Sequence, residues 1–396
     1  MASNIQGEDA ELGEIGWMAK AVAADNDIEA QDRTAELAEK QNRLHQLMDE
    51  QGLDAIIISR HENIAWATAG LVDIRVGILR ETGIASLLFT RDGKSFYLST
   101  NNEAPRLAAE EFPQLDYEPL IQPWYANDVM ASIAKAVGSG KVAADAPLGA
   151  LPVIALQPLR FELMPTEIER YRWLGEHTAG AVTQVLLGLR PGMSETMMQA
   201  QLAEQLILRH IMPSVYLTAV DERVRKYRHA VPRSGVLERY GMVNFCSRRW
   251  GLAISMTRFV YFGPIPDELT EKFSAVAVVN AKILHATRKG KSADELFAVA
   301  REAYTAARYA GEERMHHQGG ATGYAEREWV ARPGGHEKVL NHQAFAWNPS
   351  LQGAKAEDTA IVLDGRIEII TSTPELPTVT TVVGGIEYRS AGVLAG

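Results

Sequence analysis

Apolar residues recur at helical spacing from Thr34 onward, and Gly52 is predicted to end this first helix. The apolar run over residues 54–59 follows directly and is typical of a buried strand. Two Asp-Gly dipeptides, at 92–93 and 364–365, each separate two strand-like runs. Because Asp-Gly tolerates positive φ, both positions predict tight hairpins.

The later part of the chain carries longer helical patterns. Thr166 with Glu169, and Ser292 with Glu295, have the spacing of a capping box, and Ser194 is suited to cap another helix. Long helices beside a mostly antiparallel sheet indicate an α+β domain. The helices are predicted at 166–187, 267–288 and 292–310, and a pair of adjacent strands at 242–246 and 252–262.

These patterns divide the 396 residues into three parts. Residues 1–31 have no sustained period, and we expect them to form a tail that lies over a neighbouring subunit. Residues 32–160 are expected to form a smaller α/β domain, and residues 161–396 a larger α+β domain. A chain of this length exceeds one ordinary compact domain, which agrees with the division.

Composition narrows the classes of partner. The chain has 40 Lys and Arg against 50 Asp and Glu and no long basic run, so neither nucleic acid nor an anionic membrane is expected to bind it. The single cysteine, Cys246, cannot form an intrachain disulfide or a thiolate metal cage. No signal peptide or membrane span is recognisable. We therefore expect a cytoplasmic protein that binds a small molecule.

Polar residues gather in four segments of the second domain. They are residues 227–232, the strand pair with Asn244 and Ser255, residues 316–329, and Asn348 with Glu357. These segments, in this order and at these intervals, resemble the M24 family, the creatinase and aminopeptidase P group with the pita-bread fold. Residues 53–66 are similar to the N-terminal creatinase domain of that family. The resemblance implies a pita-bread catalytic domain preceded by a smaller creatinase-type α/β domain.

The metal-dependent members of that family hold two metal ions with two Asp, one His and two Glu. The matching positions here carry Asn244, Ser255, Gly320 and Asn348, and only the last glutamate is retained, as Glu357. One carboxylate among uncharged groups does not offset the charge and desolvation of two cations. The resemblance therefore predicts a chain without a metal site and without a cofactor.

Creatinase itself works without metal, and the chain is similar to it at several positions. The resemblance implies that His229 is the acid/base residue, that Glu357 binds the guanidinium-like end of a substrate, and that Arg327 binds the substrate carboxylate. Glu328 follows Arg327, as in an Arg-Glu pair of that enzyme, and we count Arg258 and Glu328 among the predicted substrate contacts. Thr257 stands where creatinase has a glutamate, so creatine is not the expected substrate.

Family resemblance also predicts a homodimer with its active site near the subunit interface. Arg80 falls near the arginine that creatinase sends across this interface, and Arg75 is the alternative. The site of one subunit would then include a side chain of its neighbour.

Some of these side chains have structural roles as alternatives. Glu357 could pair with Arg258 or Lys355 and hold the sheet together. Arg327 could likewise form a salt bridge to a neighbouring glutamate. A substrate cation near Glu357 and a substrate carboxylate near Arg327 remain the functional interpretation.

Aromatic and histidine side chains extend the candidate site. Tyr324 and Trp347 are expected either to line a pocket for a cationic substrate or to pack in the core. His316 and His317 adjoin each other, so in an extended segment only one can face the site. We take His317 as the one that contacts substrate.

We expect a metal-independent hydrolase of a C–N bond in a small carboxylate-bearing molecule of guanidino, amidine or amide type. An imidazole, whose ordinary pKa is about 6.5, can take a proton from water and return it to a leaving nitrogen. Two alternatives stay open. One is a lyase whose histidine abstracts a carbon-bound proton, and the other is a non-catalytic binding module on a degenerate peptidase fold.

Overall fold

The computed structural model of the chain describes residues 28–396, so most of the predicted tail over residues 1–31 lies outside the described residues. The N-terminal part is a mixed five-stranded sheet in the order β4-β3-β2-β1-β5, with helices packed against it. Its elements are α1 (Thr34–Gln51), β1 (Ala55–Arg60), α2 (His61–Ala67), β2 (Thr82–Thr90), β3 (Ser95–Thr100), α3 (Ala104–Arg106), a π-helical turn (Leu107–Glu111), β4 (Glu118–Gln122), α4 (Val129–Val137) and β5 (Val142–Ala144).

Strand β1 is buried on both faces, which explains its unbroken apolar sequence. Ile56 and Ile58 belong to the main core of the molecule, while Ile57 packs in a smaller core on the opposite side of the sheet. Gly52 ends α1 in the left-handed conformation, with φ of 62°. The predicted helix, turn and buried strand are therefore confirmed.

The C-terminal part combines long helices with antiparallel strands. One sheet has the order β19-β9-β8-β6, and another has the order β11-β10-β12-β15-β16. Its helices are α5 (Pro165–Gly188), α6 (Glu195–Ile207), α7 (Glu222–Lys226), α8 (Asp267–Ala286) and α9 (Ala293–Ala306). Its strands are β6 (Met212–Tyr216), β7 (Ala219–Val220), β8 (Tyr240–Arg249), β9 (Leu252–Tyr261), β10 (Gly319–Thr322), β11 (Trp329–Val330), β12 (Gln343–Trp347), β13 (Ser350–Leu351), β14 (Ala354–Lys355), β15 (Asp358–Leu363), β16 (Arg366–Ile369), β17 (Thr378–Val383), β18 (Ile386–Ala391) and β19 (Val393–Ala395).

The helix starts follow local capping chemistry. The Ser194 hydroxyl accepts from Met197 N at 3.2 Å, and Ser292 caps α9 as predicted. At α5 the predicted box over residues 166–169 is wrong, because the helix already begins at Pro165. The Glu167 carboxylate accepts from Met164 N at 2.7 Å instead. Proline is favoured at the first helical position, where its missing N–H leaves no bond unmade.

A buried ionic cluster joins the two parts of the molecule. Lys40 Nζ lies 2.6 Å from Glu36 and 2.8 Å from Glu167, and Arg170 pairs with Glu36 at 2.7 Å. The Tyr324 hydroxyl donates to Glu167 at 2.5 Å. All five side chains are almost fully buried. Removing one partner of such a cluster would leave an uncompensated buried charge, which typically costs about 3–5 kcal/mol.

Among residues 28–396, no helix is both long enough and apolar enough to span a bilayer. The long helices of the C-terminal part bury their apolar faces against the sheets, as Phe273 of α8 does against Phe259 of β9. The helices therefore serve the core of the molecule.

Candidate functional site

Two neighbouring strands form the polar floor of the candidate site. Asn244 of β8 lies opposite Thr257 of β9, and Cys246 lies opposite Ser255. Because side chains alternate along a strand, Ser255 and Thr257 point to one face of the sheet and Arg258 points to the other. The floor is thus made of small polar groups.

Glu357, between β14 and β15, is the acceptor at the centre of this floor. Its Oε2 accepts from the Thr257 hydroxyl and from the Asn244 amide, each at 2.5 Å. Lys355 Nζ lies 3.3 Å from the same oxygen, and Arg327 approaches Oε1 at 3.4 Å. The Glu357 side chain is only 3% exposed, so these four donors take the place of water.

The charge state of Glu357 follows from its neighbours. Burial by itself would raise the pKa of this carboxyl, because it disfavours the charged form. The positive charges of Lys355 and Arg327, together with the Thr257 hydrogen bond, outweigh burial and hold the pKa below its usual value. Glu357 is therefore an anion at neutral pH, held between two cations.

Arg327 spans the floor from the side opposite Lys355. It donates to the Ser255 hydroxyl at 3.1 Å and to the Glu326 carbonyl at 2.5 Å, while its Nε has no partner among residues 28–396. The Cys246 sulfur lies 3.2 Å from Ser255 Oγ. Burial raises the pKa of Cys246 to about 11, so its sulfur is a thiol at neutral pH and not an active nucleophile.

Three histidines form a cluster beside this floor. The Nε2 atoms of His229 and His316 lie 2.8 Å apart, and the rings of His316 and His317 are stacked with centroids 4.4 Å apart. The expectation that only one of His316 and His317 faces the site is wrong. The chain bends there and becomes a strand only at Gly319, so the alternation of extended side chains does not apply.

The three imidazoles are uncharged at neutral pH. Burial, and then the charge of Lys355, lowers the pKa of His229 below its ordinary value. Burial and the same lysine lower the pKa of His316 to about 2. Burial, Arg327 and Lys355 lower the pKa of His317 to about 4. Each neutral ring has one N–H and one lone pair. The lone pair of His317 Nδ1 accepts from Gly319 N at 3.3 Å, and the bond between His229 and His316 uses the lone pair of one of these two rings.

The floor does not fit the dinuclear metal centre that the resemblance associates with this fold. Among residues 28–396, Glu357 is the only carboxylate of this floor, and two cations already neutralise it. Asn244 turns its NH2 group toward Glu357. A side chain at Gly320 has no room, because a Cβ there would meet the Trp329 carbonyl oxygen at 2.1 Å. A pair of divalent cations would lack anionic ligands here.

The histidine cluster has a different donor set. One ring nitrogen from each of His229, His316 and His317 lies within 4.8 Å of the others, and three neutral imidazoles can hold one transition-metal ion. The positive charge of Lys355, which lowers the pKa of all three rings, would also disfavour a divalent cation. The cluster has suitable ligands but an unfavourable charge.

Arg258 and Glu328, two predicted substrate contacts, are engaged elsewhere. Arg258 lies on the opposite face of β9 and pairs with Asp358 at 2.7 Å, so it does not contact the Glu357 carboxylate. Glu328 accepts from Arg160 through both carboxylate oxygens and is buried. Both residues hold the fold together.

The two predicted aromatic contacts are also structural. Tyr324 is fully buried in the cluster with Lys40 and Glu167, and Trp347 is stacked on Phe345 within the C-terminal core. The prediction that they line the site is therefore wrong, and their core alternative holds. Their apolar area is better buried than exposed in a wet cleft.

Arg80 and Arg75 differ in their surroundings. Arg75 pairs with Asp73 at 2.6 Å in its own domain. Arg80 is exposed, and its side chain has no hydrogen-bond or ion-pair partner within the described part of the chain. Neither contacts the His229 cluster of the same chain, and a contact across a dimer stays a prediction.

Lys355 is the site residue that the sequence interpretation placed only in a structural alternative. It stands two positions before Glu357, at the end of a two-residue strand. Residues two apart in an extended segment point to the same side, and this spacing was the available signal. A charged side chain in a short, otherwise apolar strand was a second signal that could have identified Lys355 as a functional residue.

Comparison with known proteins places this geometry in a family. Residues 169–365 match the model of metallopeptidase family M24, and residues 40–159 match that of the creatinase/prolidase N-terminal domain. No curated protein sequence matches the chain. The predicted boundary between residues 160 and 161 stays a prediction, although it falls in the gap between the two matches.

Several solved structures share the fold at low sequence identity. Dipeptidase PepE from Mycobacterium ulcerans is 18% identical with a TM-score of 0.71, over 93% of this chain and 100% of that one. An X-Pro aminopeptidase from Thermotoga maritima MSB8 is 19% identical with a TM-score of 0.68, over 84% and 98%. The N-terminal domain of FACT complex subunit SPT16 from Cicer arietinum is 12% identical with a TM-score of 0.59, over 85% and 97%.

These likenesses confirm the predicted architecture of a creatinase-type N-terminal domain followed by a pita-bread α+β domain. Both family models agree with it, and together they match the described chain except for residues 28–39, 160–168 and 366–396. The chain belongs to metallopeptidase family M24.

Proposed function

We propose that the chain is a metal-independent hydrolase of a C–N bond in a small carboxylate-bearing molecule, with His229 as acid and base. The observation that carries the proposal is the position of the neutral His229 imidazole, which is hydrogen-bonded to His316 and lies near Arg327 and Glu357. The charge of Arg327 lowers the pKa of His229, and the charge of Glu357 raises it. A base, a carboxylate-binding arginine and a hydrogen-bond acceptor thus share one site. This is the minimum set for water-driven cleavage of such a bond.

In the proposed reaction, His229 takes a proton from water as the water oxygen bonds to the carbon of the C–N group. His229 then returns that proton to the leaving nitrogen as the C–N bond breaks, so atoms and charges balance. Its Nε2 is engaged with His316, and its Nδ1 has no partner among residues 28–396. In this proposal His229 donates to His316 through Nε2, so its lone pair is on Nδ1, and Nδ1 exchanges the proton.

Arg327 and Glu357 would bind the two ends of the reacting group. The planar fork of Arg327 suits a carboxylate. Several donors already engage Glu357 Oε2. Within the described residues, Oε1 has only the 3.4 Å contact from Arg327, so it can accept from a substrate N–H. A fully cationic substrate group at Glu357 is disfavoured, because two protein cations already neutralise this carboxylate.

Hydrolysis is favoured by the family and by the printed names of the matched structures. The M24 model is a metallopeptidase model, and the similar folds include a dipeptidase and an X-Pro aminopeptidase. Peptidases cleave C–N bonds, so hydrolysis of such a bond is the general expectation. The loss of metal-ligand side chains is what separates the present proposal from those activities.

A lyase that uses the same histidine is the second candidate, since His229 could equally remove a carbon-bound proton. Turnover in water enriched in oxygen-18 distinguishes them, because only hydrolysis places the label in product. A non-catalytic module is the third candidate, because one structure with this fold is part of the FACT complex. Replacing His229 would then alter no turnover.

We also propose a cytoplasmic homodimer in which the segment around Arg80 reaches the neighbouring site. Val76, Ile78 and Leu79 on this segment are exposed, Leu79 to 94%. Clustered exposed apolar side chains are typical of a surface that a partner covers. Light scattering on wild type and on Leu79→Asp tests this, since a monomeric wild type contradicts it.

The proposed function is tested by screening C–N substrates with protein prepared in chelator. We expect turnover by protein that holds less than about 0.1 metal ion per chain. We expect this turnover to be lost in His229→Asn. Turnover that requires one or two bound metal ions per chain would overturn the assignment.

A further inference from the structure

The charged side chains around the candidate site do not balance. Glu357 contributes one negative charge, whereas Lys355 and Arg327 contribute two positive charges, and the three histidines are neutral. Three other arginines nearby each have an ion-pair partner. Arg228 pairs with Glu312, Arg248 with Glu326, and Arg258 with Asp358. Arg225, which lines a cavity together with Lys355, has no ion-pair partner among residues 28–396. The site therefore carries at least one excess positive charge.

Lys355 is the group with the least compensation. Its side chain is 5% exposed, and within residues 28–396 its ammonium has a single partner, Glu357 at 3.3 Å. An ammonium can donate three hydrogen bonds. A buried cation with unused donors is costly unless a further acceptor is present. Glu357 also accepts hydrogen bonds from Arg327, Asn244 and Thr257. It therefore cannot accept all the hydrogen bonds that the Lys355 ammonium can donate.

Several polar atoms of the candidate site have no partner. Within the described part of the chain, Asn244 Oδ1, Asn348 Oδ1, His316 Nδ1 and Arg327 Nε are four of the buried side-chain atoms without a hydrogen bond. Buried polar atoms are normally paired, so these four are available to a bound polar molecule. Both donors and acceptors remain open, which suits a polar ligand better than a bare ion.

We propose that the substrate is net anionic: a carboxylate whose scissile C–N group is an uncharged amide, with Lys355 enforcing this preference. A zwitterion such as a guanidino acid or a free dipeptide would place its cation beside Lys355 and Arg327. That repulsion is strong in a buried site, where water does not screen it. A net-anionic amide instead supplies the missing negative charge. The inference narrows the guanidino, amidine and amide classes of the proposed function to the last.

The test measures binding by isothermal titration calorimetry, so it does not depend on turnover. Matched probes are the N-acetyl and the glycyl derivatives of glycine, leucine and phenylalanine, which differ by one ammonium group, with guanidinoacetate alongside. N-acetylglycinamide serves as the uncharged probe. Wild type is expected to bind the N-acetyl acids about tenfold or more tightly than the glycyl compounds.

Variants at Lys355 locate the effect. Lys355→Met is expected to weaken binding of the N-acetyl acids about tenfold and to leave the uncharged probe within about twofold, and Lys355→Arg should retain the preference. Lys226→Met, at an exposed lysine paired with Glu222, is the matched charge control and should change nothing. Circular dichroism confirms that each variant is folded.

Three outcomes would overturn the inference. The first is binding of guanidinoacetate or of the glycyl compounds as tight as, or tighter than, that of the N-acetyl acids. The second is binding of no N-acetyl acid at all, and the third is an unchanged preference in Lys355→Met. Selective binding of the N-acetyl acids without turnover would support this inference and contradict the proposed hydrolysis. Failure of the inference can therefore be distinguished from failure of the proposed function.

Discussion

The Nε2 atoms of His229 and His316 are 2.8 Å apart, so one ring donates a hydrogen bond to the other. This bond fixes the orientation of the His229 imidazole, and the Nδ1 of His229 has no hydrogen-bond partner among residues 28–396. The two histidines are therefore expected to differ in role. His229 exchanges the proton, and His316 positions it.

Replacement of these histidines should separate the two roles. His229→Asn is expected to lower kcat by about 10²–10⁴, the usual contribution of general acid–base catalysis, without unfolding the protein. His316→Asn is expected to lower kcat less, with KM nearly unchanged, because it acts through His229. Steady-state kinetics on a substrate found by the screen measure both. Equal losses in the two variants would contradict the division of roles.

The acid limb of the pH profile should report His229. Burial and Lys355 lower its pKa, so kcat/KM should remain high to a pH below the ordinary histidine value of about 6.5 and fall only when His229 is protonated. Lys355→Met removes a positive charge that disfavours the imidazolium, so it raises the pKa and moves the acid limb to higher pH. A limb that moves to lower pH, or does not move, would contradict this.

Glu357 is expected to be needed for stability as well as for binding. Glu357→Gln keeps the shape but leaves Lys355 and Arg327 without a counter-charge, so the free energy of unfolding should fall by about 3 kcal/mol or more. The double variant with Lys355→Met should recover part of this loss. Urea denaturation measures it. Glu368→Gln, which breaks the exposed pair with Arg172, is the control and should cost about 1 kcal/mol or less.

Gly320 should tolerate no side chain. Gly320→Ala places a Cβ 2.1 Å from the Trp329 carbonyl oxygen, so strands β10 and β11 must separate, with a loss of about 1–3 kcal/mol. Gly180→Ala is the matched control, since a Cβ there meets nothing within 4 Å inside α5, and helix propensity favours alanine by about 1 kcal/mol. Thermal unfolding of both variants decides whether Gly320→Ala is the less stable.

Chelation should leave activity intact. Incubation with EDTA or a stronger chelator removes ions that the chain does not need, and kcat is expected to be unchanged. Added Zn²⁺ that inhibits wild type but not His317→Ala would place the ion at the histidine cluster. Activity restored only by added metal would contradict the proposed mechanism.

Much of the local structure could be predicted because its signals are local. The αL glycine at residue 52, the Asp-Gly hairpins and the cap at Ser292 depend on neighbours within a few positions. The start of α5 was misplaced because Thr166 has the right spacing but donates instead to Glu36, 130 positions earlier.

The site was harder to predict because its contacts are long-range. The family resemblance brought His229, Arg327 and Glu357 together. For Lys355, the two-residue spacing from Glu357 was a local signal, but this spacing does not separate a functional cation from a structural ion pair. Tyr324 was assigned either to a pocket or to the core, because an aromatic side chain suits both settings. The buried position of the Tyr324 hydroxyl, between Lys40 and Glu167, shows that the core role is the correct one.

The ionic cluster that joins the two parts of the molecule limits how the chain can be divided. A fragment that ends near residue 160 would retain Lys40 and Glu36 but lose Glu167 and Arg170. The other fragment would contain Glu167 and Arg170 without Lys40 and Glu36. Each fragment alone would therefore hold charged side chains without their partners. Expression of the pita-bread half alone is thus a poor route to active enzyme, and swaps with relatives should carry both halves together.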